Sequence, residues 1–423
     1  MSVSVASPPS YSPTPPRLPA PHYSSSPLQG EETIQFTPRG NALSAVSENI
    51  TKSCSFLTLI FKEQSNTGTS PTYGSGSTVH GEMELKNTAS VLSVEMKLKG
   101  RLYASISGAG PVTIMVVSER TVLWSQDATH CQFCPSLLPF AIRFPRTYTH
   151  EDHTRHIPPS FSQSFFSNQF YPPASVSVRC AYWLKVTIRN GGGKMAFWKP
   201  SKSYTVPLNY LPKARPQRPI SHLDRFLTTF KHTPEDWLQI ESVMRVRDEN
   251  VDVDPISCRF FVPSVGAFGL SDTIPFHIQL ASSLASLRML LTSEIPEIKR
   301  PPSIRAFITR HTLVETQTRR CWKASTLGEG ILRPIAPPAD ATFSEDEVYV
   351  DWEGEVRCEQ DVLYGGFNTG PVIVKDYIAF AFLPPNPRTC PLLGHQYCHP
   401  IKLVTSVWTE DYTIHPSELD RVV

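Results

Sequence analysis

The chain has 423 residues, 40 basic and 38 acidic, and a formal net charge of +2. That length leaves room for two or three domains, each able to bury a core of its own. A balance this close to neutral gives no electrostatic case for nucleic acid or for strong attraction to anionic membrane.

Nine of the 40 prolines fall within residues 1–40, beside many serines. Such a segment cannot bury enough apolar surface to offset its ordering entropy, so residues 1–49 are predicted to be a disordered tail. Within it stands Pro8-Pro9-Ser10-Tyr11, a PPxY sequence. Two adjacent prolines favour polyproline II, a conformation with little entropy left to lose on binding. Pro8 and Pro9 suit the aromatic groove of a WW domain, and Tyr11 a neighbouring pocket. A proline-rich tail also produces such a match by chance. The first 20 residues lack the basic start and apolar run of a signal peptide. No stretch approaches the roughly 18 consecutive apolar residues of a membrane span. With nine cysteines at no regular spacing, the expectation is a cytosolic protein with reduced thiols.

From about Ser53 the pattern changes. Strand-like runs occupy 54–61 and 112–124, and Leu92 to Ile106 alternates cleanly. There Leu92, Val94, Met96, Leu98, Leu102 and Ile106 are apolar, while Glu95, Lys97, Lys99 and Arg101 are charged. Period two with one wet face predicts an antiparallel sheet covering a core. Val176 to Ile188 repeats the pattern, with Arg179, Lys185 and Arg189 outward. Gly191-Gly192-Gly193 reads as a hairpin turn, since no helix follows to make a phosphate cradle. Residues 213–240 read as a hinge carrying the few helical signals. Leu223, Phe226, Leu227 and Phe230 share a helical face, and Thr233-Pro234-Glu235 reads as an N-cap with proline at the first helical position. Further strands are predicted at 302–314, 348–356, 372–382 and 401–408, and long loops at 146–162 and 383–399.

The chain also repeats itself. Tyr73, Gly76, Thr78, Val79, Met83 and Leu85 match Phe268, Ser271, Thr273, Ile274, Ile278 and Leu280 at one constant offset. The register continues as Leu92, Val94 and Met96 against Leu287, Met289 and Leu291, which predicts a second strand in both copies. A repeat this long indicates two similar domains rather than a solenoid. Many short strands with few helices argue for a pair of β-sandwiches.

Ile157-Pro158-Pro159-Ser160-Phe161 resembles the P-P-S-F signature of arrestin-fold proteins. The strand Pro139–Pro145 precedes it and the long strand with Tyr182 follows it, as in that family. Tyr73–Met83 resembles the family's upstream turn-and-strand element, and Trp352–Val356, Gly366-Phe367 and Val372–Phe382 echo its carboxy-terminal domain. The resemblance covers roughly residues 50–410 and is closest to the α-arrestin, or arrestin-related trafficking, group. It implies an all-β fold of two tandem arrestin-like, immunoglobulin-type β-sandwiches, at 50–212 and 241–412. A hinge with a short helix would join them at 213–240, and 413–423 would form a closing tail. It further implies a non-enzymatic adaptor without cofactors, cytoplasmic and recruited to the plasma membrane or endosomes. Such an adaptor would link cytoplasmic tails of membrane transporters or receptors to a HECT-type ubiquitin ligase. It would touch the membrane through cargo only, and nucleic acid would not be a partner. The alternative is an arrestin-fold scaffold or sorting protein without ligase recruitment.

Arg179, Lys185, Arg189, Lys194 and Lys199, with Lys202 close by, form a candidate patch for cargo phosphates. A solvated sheet face is the simpler account of them and the one the sequence favours. Zinc has half-sites only: His130 with Cys131 and Cys134, and Cys390, His395, Cys398 and His399. His150, His153 and His156 lie in a proline-flanked loop. No metal is assigned, and no hydrolase elbow, zincin, Walker or dinucleotide motif occurs.

Overall fold

Strands in the first half form where apolar residues alternate with polar ones. The computed structural model describes residues 48–64, 68–126, 133–191, 201–220, 226–248, 253–291, 303–336, 348–359 and 361–408. In chain order the first half runs β1 (Glu48–Ser53), β2 (Leu57–Gln64), β3 (Thr72–Tyr73), β4 (Thr78–Leu85), β5 (Val91–Ile106) and β6 (Val112–Ser125). It continues with β7 (Leu137–Arg143), β8 (Thr147–His150), β9 (His153–His156), β10 (Phe161–Ser167), β11 (Ala174–Asn190) and β12 (Ser201–Tyr210). One sheet has the order β1-β2-β4-β7; the other has β3-β12-β11-β5-β6, with β10 also on β11. Their inner faces close over Leu57, Leu59, Phe61, Val79, Met83, Leu98, Val178 and Leu184.

The second half has the same plan. After α1 (Phe226–His232) and a 3-10 turn at Pro234–Asp236 come β13 (Trp237–Met244), β14 (Ile256–Pro263), β15 (Ala267–Gly269), β16 (Ile274–Ser282) and α2 (Leu284–Leu291). Then follow β17 (Ile304–Glu315), β18 (Arg320–Glu329), β19 (Ile331–Ile335), β20 (Val348–Val356), β21 (Phe367–Asn368), β22 (Val372–Phe382) and β23 (His395–Val404). The sheets are β13-β14-β16-β20-β19 and β15-β23-β22-β17-β18, with β21 on β22. They enclose a second core around Phe260, Phe276, Ile278, Ile308 and Phe380. The protein is thus all-β, built of two β-sandwiches. In each, a very short strand pairs in parallel with the last strand, Tyr73 against Tyr210 and Phe268 against Leu403. Both sandwiches lie in one compact unit, Ser47–Val423.

Several expectations change. The internal repeat holds through β4 and β16, where Val79, Met83, Ile274 and Ile278 are all buried. It then breaks, because Leu284–Leu291 is the helix α2 and not a strand. That segment lacks β-branched residues and is rich in strong helix formers, and it buries Leu287 and Leu290 at helical spacing. The partner of β5 in the second sandwich is β17. The loop expected at 146–162 contains the β8–β9 hairpin, whose turn residues Glu151 and Asp152 both have positive φ, as tight two-residue hairpins require. The loop expected at 383–399 ends early, since β23 begins at His395. Thr233 heads only the 3-10 turn, without a side-chain cap, and β13 starts at Trp237 inside the expected hinge. Of the expected hinge helix face, Phe226 and Phe230 pack with Trp237 and Phe261; Leu223 and the side chain of Leu227 lie outside the described residues.

The sandwiches share apolar surface. Val314, Cys321, Val372 and Val374 belong to the first core. Phe161 meets Phe367 and Tyr364, with ring centroids 4.9 and 6.0 Å away. Tyr148 Oη donates to the Thr369 carbonyl at 3.2 Å. Behind this junction Arg310 and Asp376, both buried, form a two-pronged pair at 2.7 and 3.1 Å, and Arg310 also donates to the Tyr364 carbonyl at 2.7 Å.

Candidate anion-binding face

The outward residues of β11 are the odd positions, and they include Arg179, Lys185 and Arg189. Its neighbour β5 also points odd positions outward, and the register sets Lys185 directly opposite Lys97. The next strand, β6, sets Arg120 directly opposite Lys97. Three cations therefore stand in one row across three strands. Directly opposed like charges repel, because side chains in such pairs lie about 5 Å apart.

Among the described residues one carboxylate on this face offsets them. Glu95 is 6% exposed, and it accepts from Lys97 Nζ at 2.6 Å and Arg120 Nη2 at 2.8 Å. Burial alone raises its pKa, but hydrogen bonds and charge from Lys97 and Arg120 outweigh burial and hold the carboxyl below its ordinary value. Among the described residues Lys99, Arg179, Lys185 and Arg189 have no such partner. Arg101 lies over the Trp183 ring at 5.3 Å. Tyr103, opposite Arg179, and Phe166 on β10 add exposed rings to the same side. The face thus presents seven cations, one carboxylate and three aromatics. The near-neutral total conceals this concentration, and the remainder of the chain is net negative.

Of the candidate residues, Arg179, Lys185 and Arg189 come together here. Lys194 and Lys199, and the PPxY residues Pro8, Pro9 and Tyr11, lie outside the described residues. Lys202 is not part of the face: it pairs in register with the inward Ile188, and its Nζ sits 5.8 Å from the Phe56 ring. Sequence reasoning read Lys97, Lys99 and Arg101 as one wet face but did not join them to β11, and it missed Arg120. Only the strand order brings these distant segments side by side.

The Pro158-Pro159-Ser160-Phe161 motif proves to be structural. Tyr182 Oη donates to the Pro158 carbonyl at 2.5 Å. Ser160 N donates to the Tyr210 carbonyl at 2.7 Å, and Tyr210 N to Ser160 Oγ at 2.8 Å. Burial pushes the Tyr182 phenol well above its ordinary pKa, so it remains a neutral donor. Phe144, Tyr182 and Tyr210 pack around the bond at 5.0 to 5.8 Å.

Among the described residues no group of three or more His, Cys, Asp or Glu is placed to hold a metal. His130 and Cys131 lie outside the described residues, and burial pushes the Cys134 thiol up to about 11. His395 is bound to Ser242 Oγ at 2.8 Å. His150 and His153 face each other across the β8–β9 hairpin. The eight described cysteines are free thiols. No described helix is long and apolar enough to cross a membrane.

Fold and face together define an all-β protein of two joined sandwiches with a basic outer sheet. No protein-family model matches the chain, and a search of curated proteins finds no match either.

Proposed function

We propose that the chain is a non-enzymatic, arrestin-like adaptor of the cytoplasm, recruited to the plasma membrane or endosomes. Its sandwiches hold an acidic or phosphorylated cytoplasmic segment of a membrane transporter or receptor. Pro8-Pro9-Ser10-Tyr11 brings the WW domain of a HECT-type ubiquitin ligase. The observation that carries the reading is the row Lys185, Lys97 and Arg120, whose like charges stand directly opposite one another. An anionic group laid across it relieves that repulsion and gains charge-assisted hydrogen bonds. The buried lock of Tyr182 on Pro158 gives further support, because it assigns the resembling motif a definite structural task. Tethering the ligase through Pro8–Tyr11 raises its effective concentration at cargo lysines.

The test is a pull-down of full-length protein with HECT-ligase WW domains, beside Tyr11→Ala. Binding lost with Tyr11 is the expected result. Binding absent from both proteins overturns the ligase part and leaves a scaffold acting through the sandwiches alone.

A further inference from the structure

We infer that the outer face of β11, β5 and β6 docks directly on an anionic lipid surface, so that the bilayer itself is a ligand of this protein. The inference rests on the adaptor reading for where the protein works, and it adds a partner to that same face.

Three observations favour a bilayer over a peptide. The first is how the charge is spread. Arg179 and Arg189 mark the ends of a stretch about 34 Å long at 3.4 Å per residue, and the neighbouring strands widen it by about 5 Å each. A bound peptide is a line and covers one row of such a surface. A phosphate site gathers its arginines on one point. Cations dispersed over a sheet instead match the plane of charges that a lipid leaflet presents.

The second observation is the aromatic content. Trp183 and Tyr103 stand between the cations, and Phe166 is 76% exposed at one end. Rings with one apolar and one wet side suit the depth of lipid headgroups. The third is the use of charge. Glu95 is sunk below the face and engages only Lys97 and Arg120, so Lys99, Arg179, Lys185 and Arg189 are left to meet an external anion.

The experiment is co-sedimentation of the full chain with vesicles of phosphatidylcholine alone, or of phosphatidylcholine with roughly one-third phosphatidylserine. Lys99→Glu/Arg179→Glu/Lys185→Glu and Phe166→Ala are run alongside, with thermal melts to verify folding. A soluble doubly phosphorylated peptide is titrated in parallel. The expected result is binding to the phosphatidylserine vesicles only, weakened by salt. The triple variant should lose about 100-fold in partitioning, at about 1 kcal/mol per lost cation, and Phe166→Ala a smaller factor. Should the triple variant fail to fold, glutamine substitutions at the same three positions and the wild-type salt dependence carry the same comparison. Peptide binding without vesicle binding overturns the lipid assignment and leaves the adaptor reading standing. Binding to neither overturns both uses of the face. A failed WW-domain pull-down with intact vesicle binding removes the ligase and keeps the lipid.

Discussion

Glu95 shows how one residue sets the character of a surface. The alternation of β5 marks it as an outward charge like Lys97 and Lys99, yet it is nearly inaccessible. Lys97 and Arg120 close over it, and a cross-strand neighbour 25 positions away is not visible in a one-dimensional pattern. Because its folded pKa is depressed, Glu95 contributes stability that is present above the ordinary carboxylate range. That contribution is lost as pH falls through the folded value. Urea unfolding across this window should therefore show wild-type stability falling with acid. Glu95→Gln should flatten that fall and cost roughly 1 kcal/mol near neutral pH, a modest figure because Arg120 is largely solvated. Equal pH slopes for the two proteins would remove Glu95 as the cause.

At the scale of elements, the strands of the first sandwich were legible because their period is two and one face is wet. β5 and β11 run nearly as read, and β20, β22 and the start of β17 also fall where expected. The segment Leu284–Leu291 was misread because Leu287, Met289 and Leu291 alternate as a strand does, while the i, i+3 pair Leu287 and Leu290 that the helix buries was passed over. β12 went unread although Tyr204, Val206, Leu208 and Tyr210 alternate, while β13 and β18 escaped notice because their apolar positions are irregular. Pairing also constrains residues that no propensity singles out. Gly100 on β5 lies opposite Tyr182 on β11, and a methyl group there would stand 2.5 Å from the ring. The ring cannot retreat without giving up the bond to Pro158. Gly100→Ala should therefore destabilise by about 1–3 kcal/mol through overpacking. Gly110→Ala, with open space around it, should stay within about 0.5 kcal/mol. Thermal and urea melts of the pair decide the point, and equal midpoints would refute it.

At the scale of the molecule, the candidate site was half legible. Outward charges could be read strand by strand, but their assembly into one face depends on strand order, which the sequence does not spell out. The junction between the sandwiches was not legible at all, since Phe161 lies far along the chain from Tyr364 and Phe367. The pair of Arg310 and Asp376 supports that junction from below. Removing one member strands a buried charge, so Asp376→Ala should cost about 3–5 kcal/mol, whereas Arg310→Met with Asp376→Leu should cost far less. Scanning calorimetry reads both variants. A double variant as unstable as the single one would show that the pair acts through more than its charge.

The shared core has a consequence for how the protein is made. The first sandwich cannot close until Tyr210 reaches Tyr73, and part of its apolar surface waits for Val314 through Val374. At ribosomal rates of about 5–20 residues per second, the nascent chain exposes Tyr148, Phe161 and Phe165 for roughly 10–40 s. During synthesis the first half is therefore a sticky, unfinished body, and the second half is what shields it.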